Sequence, residues 1–372
     1  MSETIVVGMS GGVDSSVAAA LLVEAGHRVI GVTLRVWPWE ESKDPTQRFG
    51  SCCSPETVND ARRVARQLGI PHYLLNSEKE FDSTVIADFT QEYLNARTPT
   101  PCVVCNRSVK FGSLLQRGRA WEAAAVATGH YARLERNATT GRMCLLKGRD
   151  ARKDQSYFLW PLTQSQLEGA RFPVGEMRKE EVRERARALG FSVADKPESQ
   201  EVCFIPDDDY RGFLRRRTPH AFSPGPILDK GGGVLGQHEG LANYTVGQRK
   251  GLGLSLGKAL YVVALDPGRN AVVVGEEVDL HASRLVATQV NFIPFEQLNG
   301  PIRVEAKIRS SHLGAGATLY LGGDGTVEVH FEHPQRAVTP GQSVVFYQGE
   351  QVIGGGIIAS PCAPAGAWSP TK

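Results

Sequence analysis

Thr4-Ile5-Val6-Val7-Gly8-Met9-Ser10-Gly11-Gly12-Val13-Asp14-Ser15-Ser16 decides how this chain is read. Thr4 to Gly8 is a short β-branched run, Gly8 to Asp14 is glycine-rich, and Ala18, Leu21, Leu22 and Ala25 then recur at helical spacing. That order is strand, loop, helix. Backbone N–H groups and the positive end of a helix dipole converge at such a loop, so it suits a phosphate. The two glycines permit close backbone approach, and Ser10, Ser15 and Ser16 add hydroxyls. No Gly-Lys-Ser/Thr follows at Walker A spacing and no Gly-x-Gly-x-x-Gly is present. Asp14 is the residue expected to hold magnesium on a phosphate ligand, since a hard dication prefers oxygen ligands; the alternative is an acid that suits a helix N-terminus.

Outward from this loop the strand and helix patterns continue to alternate. His27 to Leu34 reads as a second strand, Val58, Ala61, Ala65 and Leu68 mark a second helix, and Pro71 to Leu75 a third strand. An apolar run ending at Thr128 leads into Gly129-His130-Tyr131-Ala132. The expectation is an α/β fold with a parallel sheet, whose ligands bind at the carboxyl edge of the strands. From Pro206 the chain turns dense in Gly and Pro, and Tyr261 to Ala264 and Ala271 to Val274 flank a turn sequence, Asp266 to Asn270. Period-two alternation through Ile302 to Arg309 and Val327 to Glu332 indicates a small all-β domain. The expected division is 1–205 for nucleotide binding and catalysis, 206–282 for a small irregular β-rich middle domain, 283–362 for a C-terminal β-barrel, and 363–372 for a tail.

The 372 residues carry a formal net charge of +2, so an RNA-binding surface would have to be a local patch. Arg215-Arg216-Arg217 is one candidate; Lys179 to Leu189, where acids and bases interleave, reads as a solvated helix face. No stretch is apolar enough to span a membrane, and a cytoplasmic protein is expected. Seven cysteines are too few for an extracellular disulfide framework. Cys52-Cys53 with Cys102 and Cys105 could bind zinc, Cys102 and Cys105 could form a redox dithiol, and Cys144 and Cys362 are bystanders by context.

Several motifs occur in one order: Ser10 to Ser15, Cys52-Cys53-Ser54, Cys105-Asn106 with Lys110-Phe111, Thr128 to Ala132, Lys153 to Phe158, Ser199 to Phe204, and Tyr244 to Gly253. Together they resemble the bacterial tRNA-specific 2-thiouridylases, within the ATP pyrophosphatase loop family, over about residues 4 to 360. The resemblance implies an adenine nucleotide α-hydrolase-like domain binding ATP through Gly8, Met9, Ser10, Gly11, Gly12, Val13, Asp14, Ser15, Leu34 and Gly129, with magnesium. It implies adenylation of the C2 oxygen of a wobble uridine in tRNA of lysine, glutamate or glutamine type. Sulfur transfer follows from a persulfide on Cys203, loaded by a sulfur-relay protein or cysteine desulfurase. Cys105 then closes a disulfide with Cys203, and AMP and pyrophosphate are released. It also implies tRNA contacts at Thr100, Pro101, Cys102, His130, Lys153, Asp154, Gln155, Arg309, Ser310 and Gln342. Thr100-Pro101-Cys102 departs from the family's Asn-Pro-Asp, and Ser310-Ser311-His312 from its Tyr-Arg-Gln pattern. Three rivals remain at this point: a small-molecule synthetase with the same loop, a nucleotide-sensing RNA-binding protein, and a 2-thiocytidine-type enzyme with an iron–sulfur cluster on Cys102 and Cys105.

Overall fold

The computed structural model describes residues 2–38, 54–197, 202–205, 208–219, 222–254 and 257–362. Cys52, Cys53, Ser199, Gln200, Glu201 and the tail 363–372, all singled out above, lie outside the described residues. The chain divides into two compact units, Met1–Ile86 with Pro101–Asp209 and Glu350–Val352, and Ala87–Thr100 with Tyr210–Gly349 and Ile353–Lys372.

In chain order the first unit contains β1 (Thr4–Gly8), α1 (Val13–Glu24), β2 (Arg28–Arg35), α2 (Pro55–Gln67), β3 (His72–Asn76) and α3 (Glu78–Phe81). The helix α4 (Ala87–Leu94) belongs to the second unit; α5 (Pro101–Val104), α6 (Leu114–Ala120), β4 (Ala125–Ala127), β5 (Ala132–Arg136), β6 (Met143–Lys147), α7 (Gln164–Glu168), β7 (Ala170–Arg171) and α8 (Lys179–Ala188) return to the first. Five strands form a sheet in the order β3-β2-β1-β4-β7, every neighbouring pair parallel. The chain order reverses at β1, which lies between β2 and β4, and the loops after β1 and β4 emerge side by side at the carboxyl edge.

Burial explains why these segments pair as they do. Ile5, Val6 and Val7 are at most 1% exposed, so β1 is covered on both faces, as a central parallel strand must be. Against it packs α1, whose Val17, Ala18, Ala19 and Ala20 are all fully buried; small side chains all round let sheet, α2 and α8 approach it closely. Ser54 caps α2, accepting from the Thr57 N–H, with Pro55 next in line.

Two stretches of π-helix interrupt the helices of this unit, Asp82–Ile86 after α3 and Cys105–Ser113 between α5 and α6, and they pack on each other. A π-helix shifts the backbone register and leaves carbonyls in need of donors. Gln166 supplies them: its Nε2 donates to Arg107 O at 2.8 Å and Phe111 O at 3.0 Å.

The second unit adds α9 (Tyr210–Arg217) and a four-stranded sheet in the order β10-β11-β8-β9, made of β8 (Gly225–Leu228), β9 (Val234–His238), β10 (Tyr261–Asp266) and β11 (Ala271–Gly275). The β10–β11 pair is the hairpin expected from the turn sequence. Then β12 (His281–Phe292), β13 (Ile302–Lys307), β14 (Ala315–Leu321), β15 (Val327–Arg336), β16 (Ser343–Gln348) and β17 (Gln351–Cys362) close as β12-β15-β14-β13-β16-β17. Pairing of β17 back onto β12 completes a six-stranded barrel. Its inward residues, among them Leu285, Leu319, Val329, Val344, Phe346 and Ile358, are fully buried, as the period-two reading requires. Among the described residues no helix is long and apolar enough to cross a membrane.

Candidate functional site: the loop after β1 and its neighbours

Residues 9–12 turn from β1 into α1. Gly11 has φ of +69°, and a Cβ there would fall 2.1 Å from the Thr57 carbonyl oxygen, so only glycine fits. The N-cap of α1 is Gly12, which offers no side chain to cap the first turn. The N–H groups of that turn are thereby left for a ligand. Around them the hydroxyls form a cluster: Ser15 Oγ accepts from the Ser10 N–H at 3.2 Å and donates to Gly12 O at 3.2 Å, and Ser16 Oγ donates to Gly12 O at 2.9 Å. Gly129 lets the loop after β4 lie directly on this turn, since a Cβ there would sit 2.5 Å from the Ser15 backbone nitrogen. Leu34 follows Thr33, whose hydroxyl donates to Met9 O at 2.7 Å. The expected nucleotide-binding residues from Gly8 to Ser15, Leu34 and Gly129 therefore form one neighbourhood, and its chemistry fits a polyphosphate.

Asp14, the expected magnesium ligand, is engaged by two partners of the protein itself. Lys179 Nζ donates to its Oδ1 at 2.7 Å and Oδ2 at 2.8 Å, and the Tyr131 hydroxyl donates to Oδ1 at 2.6 Å. An inner-sphere dication on this carboxylate would sit against an ammonium, and like charges at such range repel strongly. Among the described residues no group of three or more His, Cys, Asp or Glu side chains is placed to hold a metal. A second lysine braces the same loop from behind: Lys196 Nζ donates to Gly11 O at 3.1 Å and Asp60 Oδ2 at 2.6 Å. Burial pushes the Asp60 carboxyl up, but Lys196 and Arg63 more than offset this and hold it below the usual range.

Lys179 was hidden in the sequence by its charged neighbours. The signal is its register: Lys179, Val182 and Ala186 fall on one face of α8 and are all buried, Lys179 being 6% exposed. A cation in the first turn of a helix also opposes the dipole and calls for an acidic partner. Tyr131 is 2% exposed and equally silent in sequence.

The residues expected to meet tRNA are placed unevenly. Lys153 is half-buried in the loop between β6 and α7. Asp154 is spent within that loop, accepting from the Gly148 and Ser156 N–H groups at 3.0 and 3.1 Å. Gln155 is half-buried, and its Oε1 accepts from the Tyr131 N–H at 3.1 Å. His130 is buried, bonded through Nδ1 to the Thr128 hydroxyl at 2.7 Å and flanked by Phe111 and Phe172; its surroundings are those of a core residue. Burial pushes its pKa well below the usual imidazole value, with the Lys110 charge adding to the shift.

In the second unit, Gln342 Nε2 donates to Thr98 O at 3.0 Å and Pro99 O at 3.1 Å, just ahead of Thr100. Arg309 donates to Arg336 O at 3.2 Å, and Ser310 is exposed in the turn after β13. Of the arginine triplet, Arg215 pairs with Glu239 at 3.1 Å. Pro101 opens α5, with Cys102 exposed beside it.

Cys105 begins the second π-helical stretch and is half-buried, as is Cys203. The residue after each is an anchor. Asn106, 1% exposed, donates to Phe158 O at 3.0 Å, while the Phe204 ring meets the Phe81 ring edge-on at 5.6 Å between centroids. Phe81 lies in α3, which also packs on the stretch that Cys105 opens. Cys144 is buried, which pushes its thiol pKa up, as suits a bystander.

Comparison with known proteins adds three matched regions: a tRNA methyl transferase HUP domain over residues 3–207, a tRNA methyl transferase PRC-barrel domain over 211–276, and an aminomethyltransferase β-barrel domain over 282–358. The tRNA-specific 2-thiouridylase MnmA of Heliobacterium modesticaldum is 54% identical over 360 residues, covering 96% of this chain and 93% of that one. The protein of the same name from Moorella thermoacetica is 52% identical over 354 residues, covering 95% and 99%.

Two predictions follow from the site's electrostatics. Asp14→Asn strands the buried Lys179 ammonium and should lower unfolding stability by about 2–3 kcal/mol in urea titration, with Asp14→Asn/Lys179→Met recovering part of the loss; additive losses would refute the pairing. His130 stays neutral in the fold while an unfolded imidazole takes up a proton below about pH 6.5, so its share of stability is complete above that pH and declines as pH falls. His72, His238 and His312 are shifted in the same direction. His130→Gln should therefore flatten the fall in stability between pH 7 and 5; an unchanged slope would contradict a buried neutral His130.

Proposed function

The chain belongs to the family of tRNA-specific 2-thiouridylases, enzymes that transfer sulfur to tRNA, and from that premise we propose how its own residues divide the work. ATP lies with its phosphates at Ser10 to Ser15 and the start of α1, and with Leu34 and Gly129 beside it. The wobble uridine of a tRNA of lysine, glutamate or glutamine type leaves the anticodon stack, a small cost in a single-stranded loop. Its C2 oxygen attacks the α-phosphorus; a C2–O–P linkage forms, the bond to the bridging oxygen breaks, and pyrophosphate departs against the N–H groups and hydroxyls of the loop. Magnesium arriving with the nucleotide would supply charge neutralisation, and no side chain of this protein is assigned to it.

The terminal sulfur of a persulfide on Cys203, loaded by a sulfur-relay protein or a cysteine desulfurase, then attacks C2. The Cys105 thiolate attacks Cys203 Sγ and breaks the sulfur–sulfur bond, and the electron pair passes to the transferred sulfur. AMP leaves with the former C2 oxygen. A Cys105–Cys203 disulfide remains, to be reduced by an external thiol. Lys153, Thr100, Cys102, Arg309, Ser310 and Gln342 are the proposed RNA-facing positions, with buried Pro101 and His130, and Asp154 and Gln155, shaping the surface from within.

The observation that carries this reading is the uncapped, hydroxyl-lined start of α1 at the carboxyl edge of β1 and β4, in the same unit as both cysteines. Nucleoside mass spectrometry tests it, on wobble-uridine tRNA incubated with ATP, magnesium, cysteine and a cysteine desulfurase. Wild type should yield 2-thiouridine, and Cys203→Ala and Cys105→Ala should each lose on the order of 10²-fold or more. Pyrophosphate released without any thionucleoside would point to a small-molecule synthetase instead.

A further inference from the structure

Asp14 is joined to the 148–156 loop by two separate routes. The first runs from Asp14 Oδ1 to the Tyr131 hydroxyl at 2.6 Å, and from the Tyr131 backbone to Gln155: the Tyr131 N–H donates to Gln155 Oε1 at 3.1 Å, and the Gln155 N–H donates to Tyr131 O at 2.9 Å. The second runs from both Asp14 oxygens to the Lys179 ammonium, and from the Lys179 backbone N–H to Asp150 Oδ2 at 3.1 Å. Asp150 Oδ1 accepts from the Arg152 N–H at 3.0 Å, and Asp154 ties Gly148 to Ser156, so the loop between the two attachment points is internally braced. Tyr131 is 2% exposed and Lys179 and Asp150 each 6%, while Gln155 is half-buried, so the Lys179 route is packed throughout and the Tyr131 route reaches the surface only at its far end.

We propose that Tyr131 and Lys179 are positioning residues that set the phosphate-facing end of α1 according to the state of the 148–156 loop, so that nucleotide and RNA bind interdependently. The inference rests on the reading above in taking Ser10 to Ser15 as the ATP loop and Lys153 as RNA-facing. The electrostatic reason lies in Asp14. Its carboxylate is in the first turn of a helix whose N–H groups are to receive a polyphosphate, and without compensation it would repel that ligand. Lys179 supplies the compensation, and the Lys179 backbone is held by Asp150. A shift of the loop moves the start of α8, and the ammonium with it; the same shift carries Gln155 and the Tyr131 hydroxyl. Sub-ångström changes at these joints alter how much negative charge the nucleotide meets and where the first-turn N–H groups point. Reciprocity then requires that nucleotide change RNA affinity by the factor by which RNA changes nucleotide affinity.

The test is equilibrium binding of α,β-methylene-ATP to the full-length protein with and without unmodified wobble-uridine tRNA, and of the tRNA with and without the analogue. Wild type should give the same factor in both directions, about fivefold or more. Tyr131→Phe, which removes one oxygen and keeps the buried ring, should bring that factor below about twofold. Asp150→Ala should do so through the other route, which keeps the test independent of how any one variant folds. A factor of one in wild type, or a wild-type factor retained in both variants, overturns the inference. A wild type that binds the analogue and no tRNA would instead remove the functional reading on which the inference rests.

Discussion

A single carboxylate in the first turn of α1 fixes the geometry around it. Asp14 would be unfavourable next to a polyphosphate by itself, yet it accepts two bonds from a buried ammonium and one from a buried phenol. Those partners come from α8 and from the segment after β4, so one side chain holds the ends of three chain segments in register. Lys196 braces the preceding turn through Gly11 O and Asp60. The loop is thereby held by charge pairs, while the first-turn N–H groups of α1 are left without a side-chain cap. Electrostatic catalysis needs that arrangement, since donors fixed before reaction cost nothing to reorganise during it.

The same economy governs the sulfur side. Cys105 sits at the first residue of a π-helical stretch whose carbonyls are satisfied by Gln166 from α7, and its neighbour Asn106 is pinned to Phe158. Cys203 is anchored through Phe204 on Phe81. Each cysteine is half-buried, and the residue beside it fixes the local backbone.

Much of this was legible in the sequence because local rules decided it. The β-branched run before Gly8, the apolar alternation of β12 to β17 and the turn sequence Asp266 to Asn270 each dictate one conformation, and the parallel sheet and barrel follow. The loop and its glycines were readable for the same reason. What was not readable depends on pairings far apart in the chain. Asp14 reads in sequence either as a metal ligand or as an acid suited to a helix N-terminus; that Lys179, 165 residues on, bonds to both its oxygens is a tertiary fact. His130 and Gln155 stand in motifs that suggest surface chemistry, but burial against Phe111 and Phe172 and pairing with the Tyr131 backbone turn them inward. Gln166 is legible only as the capping-box residue of Thr163-x-x-Gln166; its second task, at the carbonyls of the irregular helix, depends on residues far away in the chain.

The central claim is that ATP activates the uridine C2 oxygen and that this oxygen leaves with AMP. The most direct measurement uses wobble-uridine tRNA labelled with oxygen-18 at C2 and follows the mass of the AMP formed during thiolation. One labelled oxygen is expected in each AMP for every 2-thiouridine made. Unlabelled AMP alongside normal 2-thiouridine formation would contradict it, and would mean that sulfur reaches C2 by a route in which that oxygen is never joined to phosphorus.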